Sequence, residues 1–350
     1  MNTTTTTYAV DTAKSVMQLH WVDGASGEIG RKKLSRAKFI DFFSALKPAH
    51  VVMEACGGAH HWARSLGAMG HQVELLPARQ VRAFVRGNKD DAADARAIWL
   101  ASQHSDIRRV PLKSAQQQAV LSLHRLRAHW VCVRTATVNM LRGLLYEFGV
   151  VLPAGKVLGL RVLAAKRAEI DPLLPPLMQR QLDGQLAALR QLELEIEKVE
   201  DELALVQKSD AAAKKLRKVP GIGLLGATAL AATLGDAKGW RNAREFSASL
   251  GLSPRHGGTG GKVTMGGISK RGDPYLRTLL VSGARAVANA PSAPEWVRQL
   301  MLRRPPNVAV VALANKLART AWALVAHGRE YERGWVSKSP RAAQAQAAAA

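Results

Sequence analysis

The sequence predicts a mixed α/β N-terminal domain, then a long helical arm, then an all-α C-terminal domain. Three patterns carry that prediction. Strand and helix signals alternate through residues 7–105, two long helices with apolar stripes flank the prolines at 172, 175 and 176, and glycine-punctuated helical runs fill the remainder.

Taken in order, Tyr8–Val10 is a short apolar run ending at Asp11. Met17, Leu19 and Trp21 then alternate with Gln18 and His20, the period of a half-buried strand. "DGASG" bounds it as a turn, and "EIGRKKL" reads as a third, pairing strand. "SRAKFIDFFSALKP" is an amphipathic helix with Ser35 as its N-cap and Pro48 beyond its end. "HVVME" is a buried strand ending at Glu54, "GAHHWARSLGAMG" a helix closing on Gly70, and "HQVELL" a further strand. This order implies a mixed sheet with helices packed on it.

Past Pro111, Ser114 and Gln117 form a capping box at the head of a helix striped by Leu123, Leu126, Trp130, Val133, Met140 and Leu144. Leu189, Leu192, Ile196, Val199, Leu203 and Val206 alternate threes and fours as a coiled-coil seam does. The two helices make a hairpin arm for dimerisation or spacing. Its acidic run, Glu193, Glu195, Glu197, Glu200, Asp201 and Glu202, reads as a solvated face. The expected domains are 1–110, 111–212 (the arm) and 213–335, with a low-complexity tail over 336–350.

Charge narrows the partner. Fifty Lys+Arg stand against 27 Asp+Glu, a net +23 that makes physical sense beside phosphate. A membrane role is not expected, because Lys316 and Arg319 interrupt the apolar stretch at 308–325. "MNTTTTTYAVD" has neither a basic leader nor an apolar core, so no signal peptide is expected. Cys56 and Cys132 are the only cysteines, which suits a reducing cytoplasm and excludes a cysteine-based zinc site. The bulk reading is a soluble cytoplasmic nucleic-acid binder.

Against that background "VRGNKDDAADARAIWLAS" sets carboxylates among Arg79, Arg82, Arg86, Lys89 and Arg96. Asp91 and Asp94 share a helix face by their spacing, whereas Asp90 leaves it. Asp11 and Glu54 end strands, and carboxylates at neighbouring strand ends can converge at one sheet edge. Four oxygen donors meeting there suit two Mg²⁺ ions, hard cations that keep open positions for phosphate and water. Taken singly, Asp11 is equally a turn former and Asp91 an N-cap or helix-dipole acid. In the converging arrangement the acids hold cations while Arg82, Arg86 and Lys89 hold the nucleic acid.

In the C-terminal third, "LRKVPGIGLLGATALAATLGD" puts a Pro-Gly-Ile-Gly turn between helices and reads as a helix-hairpin-helix. Gly221, Gly223 and Lys218 would then hold a backbone phosphate without reading sequence. Further on, glycines flank the hydroxyl of Thr259, and Lys262, Lys270, Arg271 and Arg277 come after it. Bare backbone permits close approach to a ligand, and the cations suit charge on a phosphoryl group in transfer.

"YAVDTAK", "VVMEACGG" and "NKDDAADARAIW", in that order, resemble the DEDD transposases of bacterial insertion sequences, relatives of the pilin-gene invertases. The resemblance implies an RNase H-like, resolvase-like N-terminal domain whose metal-binding tetrad is Asp11, Glu54, Asp91 and Asp94, preceded by the family's lysine at Lys89. "GLSPRHGGTGGKVTMGGISKRGD" resembles the second half of the same family. There the family's nucleophilic serine position is held by Thr259, with Ser253 and Ser269 as alternatives. The activity implied by this likeness is that of a Mg²⁺-dependent DNA recombinase that attacks the backbone through a hydroxyl, passes through a covalent protein–DNA intermediate and rejoins the strands. Its implied partners are the element ends and target DNA, a structured guide RNA, and further copies of the chain in a homodimer or homotetramer. A structure-selective nuclease using the tetrad alone, and a non-catalytic nucleic-acid-binding protein, are the other readings.

Overall fold

Short apolar runs at 8–10 and 51–53 and apolar–polar alternation over 17–21 build the sheet of the N-terminal unit. Its strands are β1 (Thr7–Thr12), β2 (Val16–Val22), β3 (Ile29–Ser35), β4 (His50–Glu54) and β5 (Gln72–Leu76), in the order β3-β2-β1-β4-β5. β1, β2 and β3 run antiparallel through short turns, whereas β4 pairs parallel to β1 and β5 parallel to β4, each after a helical crossover. The computed structural model describes residues 6–85 and 91–333, whose contacts divide into units of residues 1–118 and 119–350.

Each face of this sheet has its own cover. Val10, Leu19, Val51 and Met53 point to one side, where they meet Phe39 and Phe43 of α1 (Arg36–Ser44) and Trp62 and Leu66 of α2 (Ala59–Ala68). Ala9, Val52 and Leu76 point to the other side. There they meet Ala97, Ile98 and Ala101 of α4 (Asp91–Ser102), which comes after a single turn, α3 (Ala78–Val81). Ser35 caps α1 by accepting from the Lys38 amide, as its sequence position predicts. Gly70 takes φ 92° just past α2, a left-handed stop that glycine tolerates.

Glu74 on β5 is held by two bases. Arg109 Nε donates to its Oε2 at 2.6 Å, and His50 Nε2 stands 3.4 Å from the same oxygen. The His50 ring and the Arg109 guanidinium together bring this carboxyl down to about 2, against an opposing cost of burial. A depressed acid contributes stability that is complete above its unfolded pKa and is lost as pH falls toward the folded value. Between about pH 5 and pH 3 the native protein should therefore lose on the order of 2 kcal/mol that Glu74→Gln does not lose. Urea unfolding of both proteins across that window checks it; equal acid sensitivity contradicts it.

The second unit begins with the arm, α5 (Ala115–Tyr146) and α8 (Pro176–Ser209), joined through α6 (Lys156–Ala165) and α7 (Arg167–Ile170). Ser114 and Gln117 close the expected capping box reciprocally, at 3.1 and 2.8 Å. Leu182, Leu189, Ile196 and Leu203 are buried at seven-residue intervals on α8. On α5 the inward side differs from the expected stripe. Val120, His124, Val138, Leu141 and Leu145 are buried, while Leu126, Met140 and Leu144 are 46%, 43% and 40% exposed. Polar residues share that inward seam. His124 Nδ1 pairs with Tyr275 at 2.9 Å and Nε2 with Thr228 at 3.0 Å, and burial, helped by Arg127, lowers the ring to about 4, so it stays neutral. Arg127 and Arg134 reach Glu200 and Glu193 at 2.6 and 3.2 Å, an antiparallel pairing with two glutamates whose side chains stay 40% and 43% exposed.

The C-terminal core gathers α9 (Ala211–Arg217), α10 (Leu224–Leu234), α11 (Ala243–Ser249), α12 (Pro274–Ala288), α13 (Glu295–Arg303) and α14 (Pro306–Ala326). α14 is long and apolar enough to cross a membrane by length and composition, yet Leu313, Ala314, Leu317, Ala318 and Ala321 lie buried in this core. Between α11 and α12 stands an antiparallel hairpin, β6 (Pro254–Thr259) and β7 (Lys262–Ile268).

Candidate active site and nucleic-acid interface

Strand register positions the first carboxylates. Val10 of β1 lies beside Met53 of β4, so Asp11 and Glu54 come next, at the carboxyl ends of adjacent parallel strands. Side chains alternate along a strand, and Ala9 and Val52 face α4. Asp11 and Glu54 therefore lie on that same face, both half-buried. Asp94 precedes Ala97, Ile98 and Ala101 by three, four and seven residues, which sets it on the stripe of α4 that packs on the sheet. Burial and then the charge of Asp94 raise the Glu54 carboxyl above its ordinary range, as expected of neighbouring acids.

Asp11, Glu54 and Asp94 thus come to one side of the sheet from two strands and one helix. Asp91 opens α4, but its side chain lies outside the described residues, as do Arg86, Lys89 and Asp90 entirely. Among the described residues no group of three His, Cys, Asp or Glu side chains is close enough to hold a metal ion. The donor chemistry nevertheless suits a hard cation. Every donor is a carboxylate oxygen, and the repulsion that lifts Glu54 is the kind a cation relieves. Arg82 is exposed in the turn after α3.

The same strand ends carry a second feature, which sequence patterns do not announce. A cleft of about 310 Å³ is lined by Thr12, Lys14, Arg36, Cys56 and His61 among others. Arg36 is fixed there, donating to the Lys14 carbonyl at 3.1 Å and lying 4.8 Å over the Trp62 ring. Lys14 sits three residues after Asp11, in the β1–β2 turn.

In the C-terminal unit the Pro-Gly-Ile-Gly turn does join two helices, α9 and α10. Gly221, however, takes φ 89° and is spent on packing: a Cβ there would meet Leu317, Val287 and the Gly283 carbonyl at 3.0–3.1 Å. A cavity of about 420 Å³ beside this turn is lined mostly by apolar residues such as Leu224, Leu276 and Leu280, and its Arg127 is paired with Glu200. Lys218 is exposed but bonds Glu330 at 2.8 Å. Gly223 is exposed at the head of α10.

Thr259 ends β6 directly before a Gly260-Gly261 turn with φ 56° and 80°, the positive pair that a tight two-residue hairpin needs. Its cross-strand partner is Lys262, and both are exposed. The hairpin is pinned at its base. The Ser269 amide donates to the Ser253 carbonyl at 2.8 Å and the Lys270 amide to the Gly251 carbonyl at 3.1 Å. Gly272 is forced by contact, since a Cβ would sit 1.7 Å from the Ser249 carbonyl. Asp273 caps α12 through the Tyr275 and Leu276 amides, leaving Lys270 and Arg271 exposed beside it. Thr259 and its cations belong to the second unit, the carboxylates to the first.

Comparison with known proteins agrees across the chain. Residues 213–299 match the family described as the transposase IS116/IS110/IS902 family, and residues 9–149 match a DEDD transposase family of the IS110 type. A probable family 20 transposase of Pseudomonas aeruginosa is 45% identical over 331 residues, 93% of this chain and 98% of the relative. A putative transposase y4pF/y4sB of Sinorhizobium fredii is 39% identical, over 92% of this chain and 84% of its own. The transposase for insertion sequence element IS1328 of Yersinia enterocolitica is 38% identical, over 94% and 99%.

Proposed function

The chain belongs to the transposase IS116/IS110/IS902 family, and from that premise we propose that it cuts and rejoins insertion-sequence DNA through the Thr259 hydroxyl, with Asp11, Glu54, Asp91 and Asp94 as ligands of Mg²⁺. One observation carries the reading: Asp11, Glu54 and Asp94 come from separate elements to one face, where Asp94 acts electrostatically on Glu54. Bound there, Mg²⁺ supplies positive charge to phosphoryl oxygens in transfer. The protein's own part is the nucleophile. The Thr259 Oγ–phosphorus bond forms as a phosphorus–oxygen bond of the DNA backbone breaks. The hydroxyl proton passes to a base, and the departing DNA oxygen is protonated. Attack by a hydroxyl of the incoming strand then reverses the linkage. Lys262, opposite Thr259, offsets phosphate charge with Lys270 and Arg271 of the same unit, and Lys14, Arg36 and Arg82 of the first unit bind DNA backbone in their own right.

The strand order β3-β2-β1-β4-β5 supports an RNase H-like, resolvase-like N-terminal domain. Seven-residue burial on α8 supports a coiled-coil arm, and the exposed Leu126, Met140 and Leu144 on α5 support a homodimer or homotetramer. A net charge of +23 leaves room for a structured guide RNA as well as DNA, in the cytoplasm. Incubating the protein with element ends, target duplex and Mg²⁺ should give joined DNA and a protein–DNA adduct stable to denaturant. Nicked DNA without an adduct would favour the water-attacking nuclease instead.

A further inference from the structure

The β6–β7 hairpin has two unlike faces. Cross-strand pairing sets Thr259 opposite Lys262 and Gly257 opposite Thr264 on one face, and His256 opposite Met265 and Gly258 opposite Val263 on the other. Val263 and Met265 are each 69% exposed, with bare backbone at Gly258 where a covering neighbour would stand. A two-stranded ribbon is marginal in water by itself, and leaving its largest apolar side chains uncovered weakens it further.

The glycines point the same way. Gly257, Gly258, Gly266 and Gly267 lie within the strands, where glycine costs stability. Only Gly258 is required by its surroundings, a Cβ there falling 2.4 Å from the Lys262 carbonyl. Gly267 has nothing within 4 Å of such a Cβ, and Gly257 and Gly266 meet atoms only at 3.6–4.0 Å. Glycine in a strand with open space beside it marks a place where something else comes close to the backbone.

Charge identifies the occupant. Residues 254–272 contain Arg255, Lys262, Lys270 and Arg271 and no carboxylate, and the next acid, Asp273, is engaged as the cap of α12. A partner for this ribbon is therefore a polyanion that also offers apolar surface, which nucleic acid does through its bases. Narrow apolar side chains of this kind, methionine among them, enter between base steps and open them.

We infer that the hairpin is a strand-separating wedge for DNA: Val263 and Met265 lie against unstacked bases next to the cleavage point, while the Thr259–Lys262 face meets the phosphate. The inference rests on the DNA-transposing reading and adds the ligand, locally unpaired bases, together with the side chains that hold it. It also gives the two faces one purpose, because bases held against one face fix the position of their own phosphate at the other.

The test uses the full-length protein at low salt with two labelled DNAs of one sequence, a paired duplex and a duplex with a two-base unpaired bubble. Each carries 2-aminopurine at the bubble position. The wild type should bind the bubble on the order of tenfold more tightly than the duplex, since opening the step is then already done. It should also raise the fluorescence of the paired duplex. Val263→Ser combined with Met265→Ser should lose both effects while binding the paired duplex within about threefold, because phosphate contacts supply that affinity. Val263→Ile combined with Met265→Leu should retain them. A bubble preference and fluorescence rise that survive the serine pair overturn the wedge alone. Self-association without DNA that the serine pair abolishes overturns it in favour of a protein interface. Absence of any binding by the wild type overturns the DNA-transposing reading itself, and the wedge with it.

Discussion

Asp94→Asn should cut strand cleavage by on the order of a thousandfold while leaving the fold intact and DNA binding within about threefold. The substitution keeps the size of the side chain and its place on the sheet-facing stripe of α4, and it removes only a charged oxygen donor. Its effect on stability separates a cation ligand from a structural acid. Burial and then the charge of Asp94 raise the Glu54 carboxyl in the native state, so ionising Glu54 there costs stability as pH rises from its unfolded to its folded range. Removing the Asp94 charge relieves part of that cost, and the variant should melt at or above the wild-type temperature at neutral pH. Added Mg²⁺ should raise the wild-type melting temperature by binding the native state, and should leave the variant unmoved. A variant that cleaves normally, or a wild type indifferent to Mg²⁺ in both cleavage and melting, would remove the cation role from these carboxylates. Glu54→Gln is the matching control and should behave in the same way.

Much of this site was legible because strand ends are local signals. Period-two alternation located β2, and short apolar runs located β1 and β4. An acid at the end of each strand could then be assigned to the sheet edge from sequence. The three-residue spacing of Asp91 and Asp94 set those two acids on one helix face, but only the packing of Ala97, Ile98 and Ala101 turns that stripe toward the sheet. Lys14 and Arg36 were missed for a different reason. They join the edge through the Arg36 bond to the Lys14 carbonyl and its stacking on Trp62, contacts between residues distant in the chain.

The arm shows how a correct helix can carry a wrong face. Of the six residues that apolar periodicity chose, Leu126, Met140 and Leu144 are exposed, while Leu123, Trp130 and Val133 are half-buried. The buried seam instead contains His124, Arg127 and Arg134, whose partners lie far along the chain at Tyr275, Thr228, Glu200 and Glu193. Polar groups whose partners lie far away in the chain are invisible to a hydrophobicity pattern. The hairpin was hidden by composition rather than by pairing. Gly-Gly between two strand-length runs is a hairpin signal, but six glycines in the eleven residues 257–267 mask the alternation that would have framed it.

Thr259→Ala should abolish the covalent protein–DNA adduct and lower strand joining by at least about ten-thousandfold, because no other group replaces a lost nucleophile. Position favours Thr259 over the two nearby serines. Ser253 and Ser269 are joined backbone to backbone at 2.8 Å in the anchored base of the hairpin, and the Ser269 hydroxyl accepts from the Arg271 amide at 3.4 Å. Thr259 stands at the free end, exposed, beside a turn of two glycines that gives a phosphate room to approach. Its β-methyl is the one obstacle, since it crowds the line of attack. Thr259→Ser removes that methyl at an exposed strand end, where the stability cost stays within about 0.5 kcal/mol, and should therefore join strands as fast as the wild type or several-fold faster. Trapping the adduct, digesting it and locating the DNA-linked peptide by mass spectrometry reads the result directly. DNA linked through Ser253 or Ser269, or an adduct that persists in Thr259→Ala, would transfer the nucleophile elsewhere. Cleavage undiminished in Thr259→Ala with no adduct in either protein would make water the attacking group, and the carboxylate edge alone would then carry the chemistry.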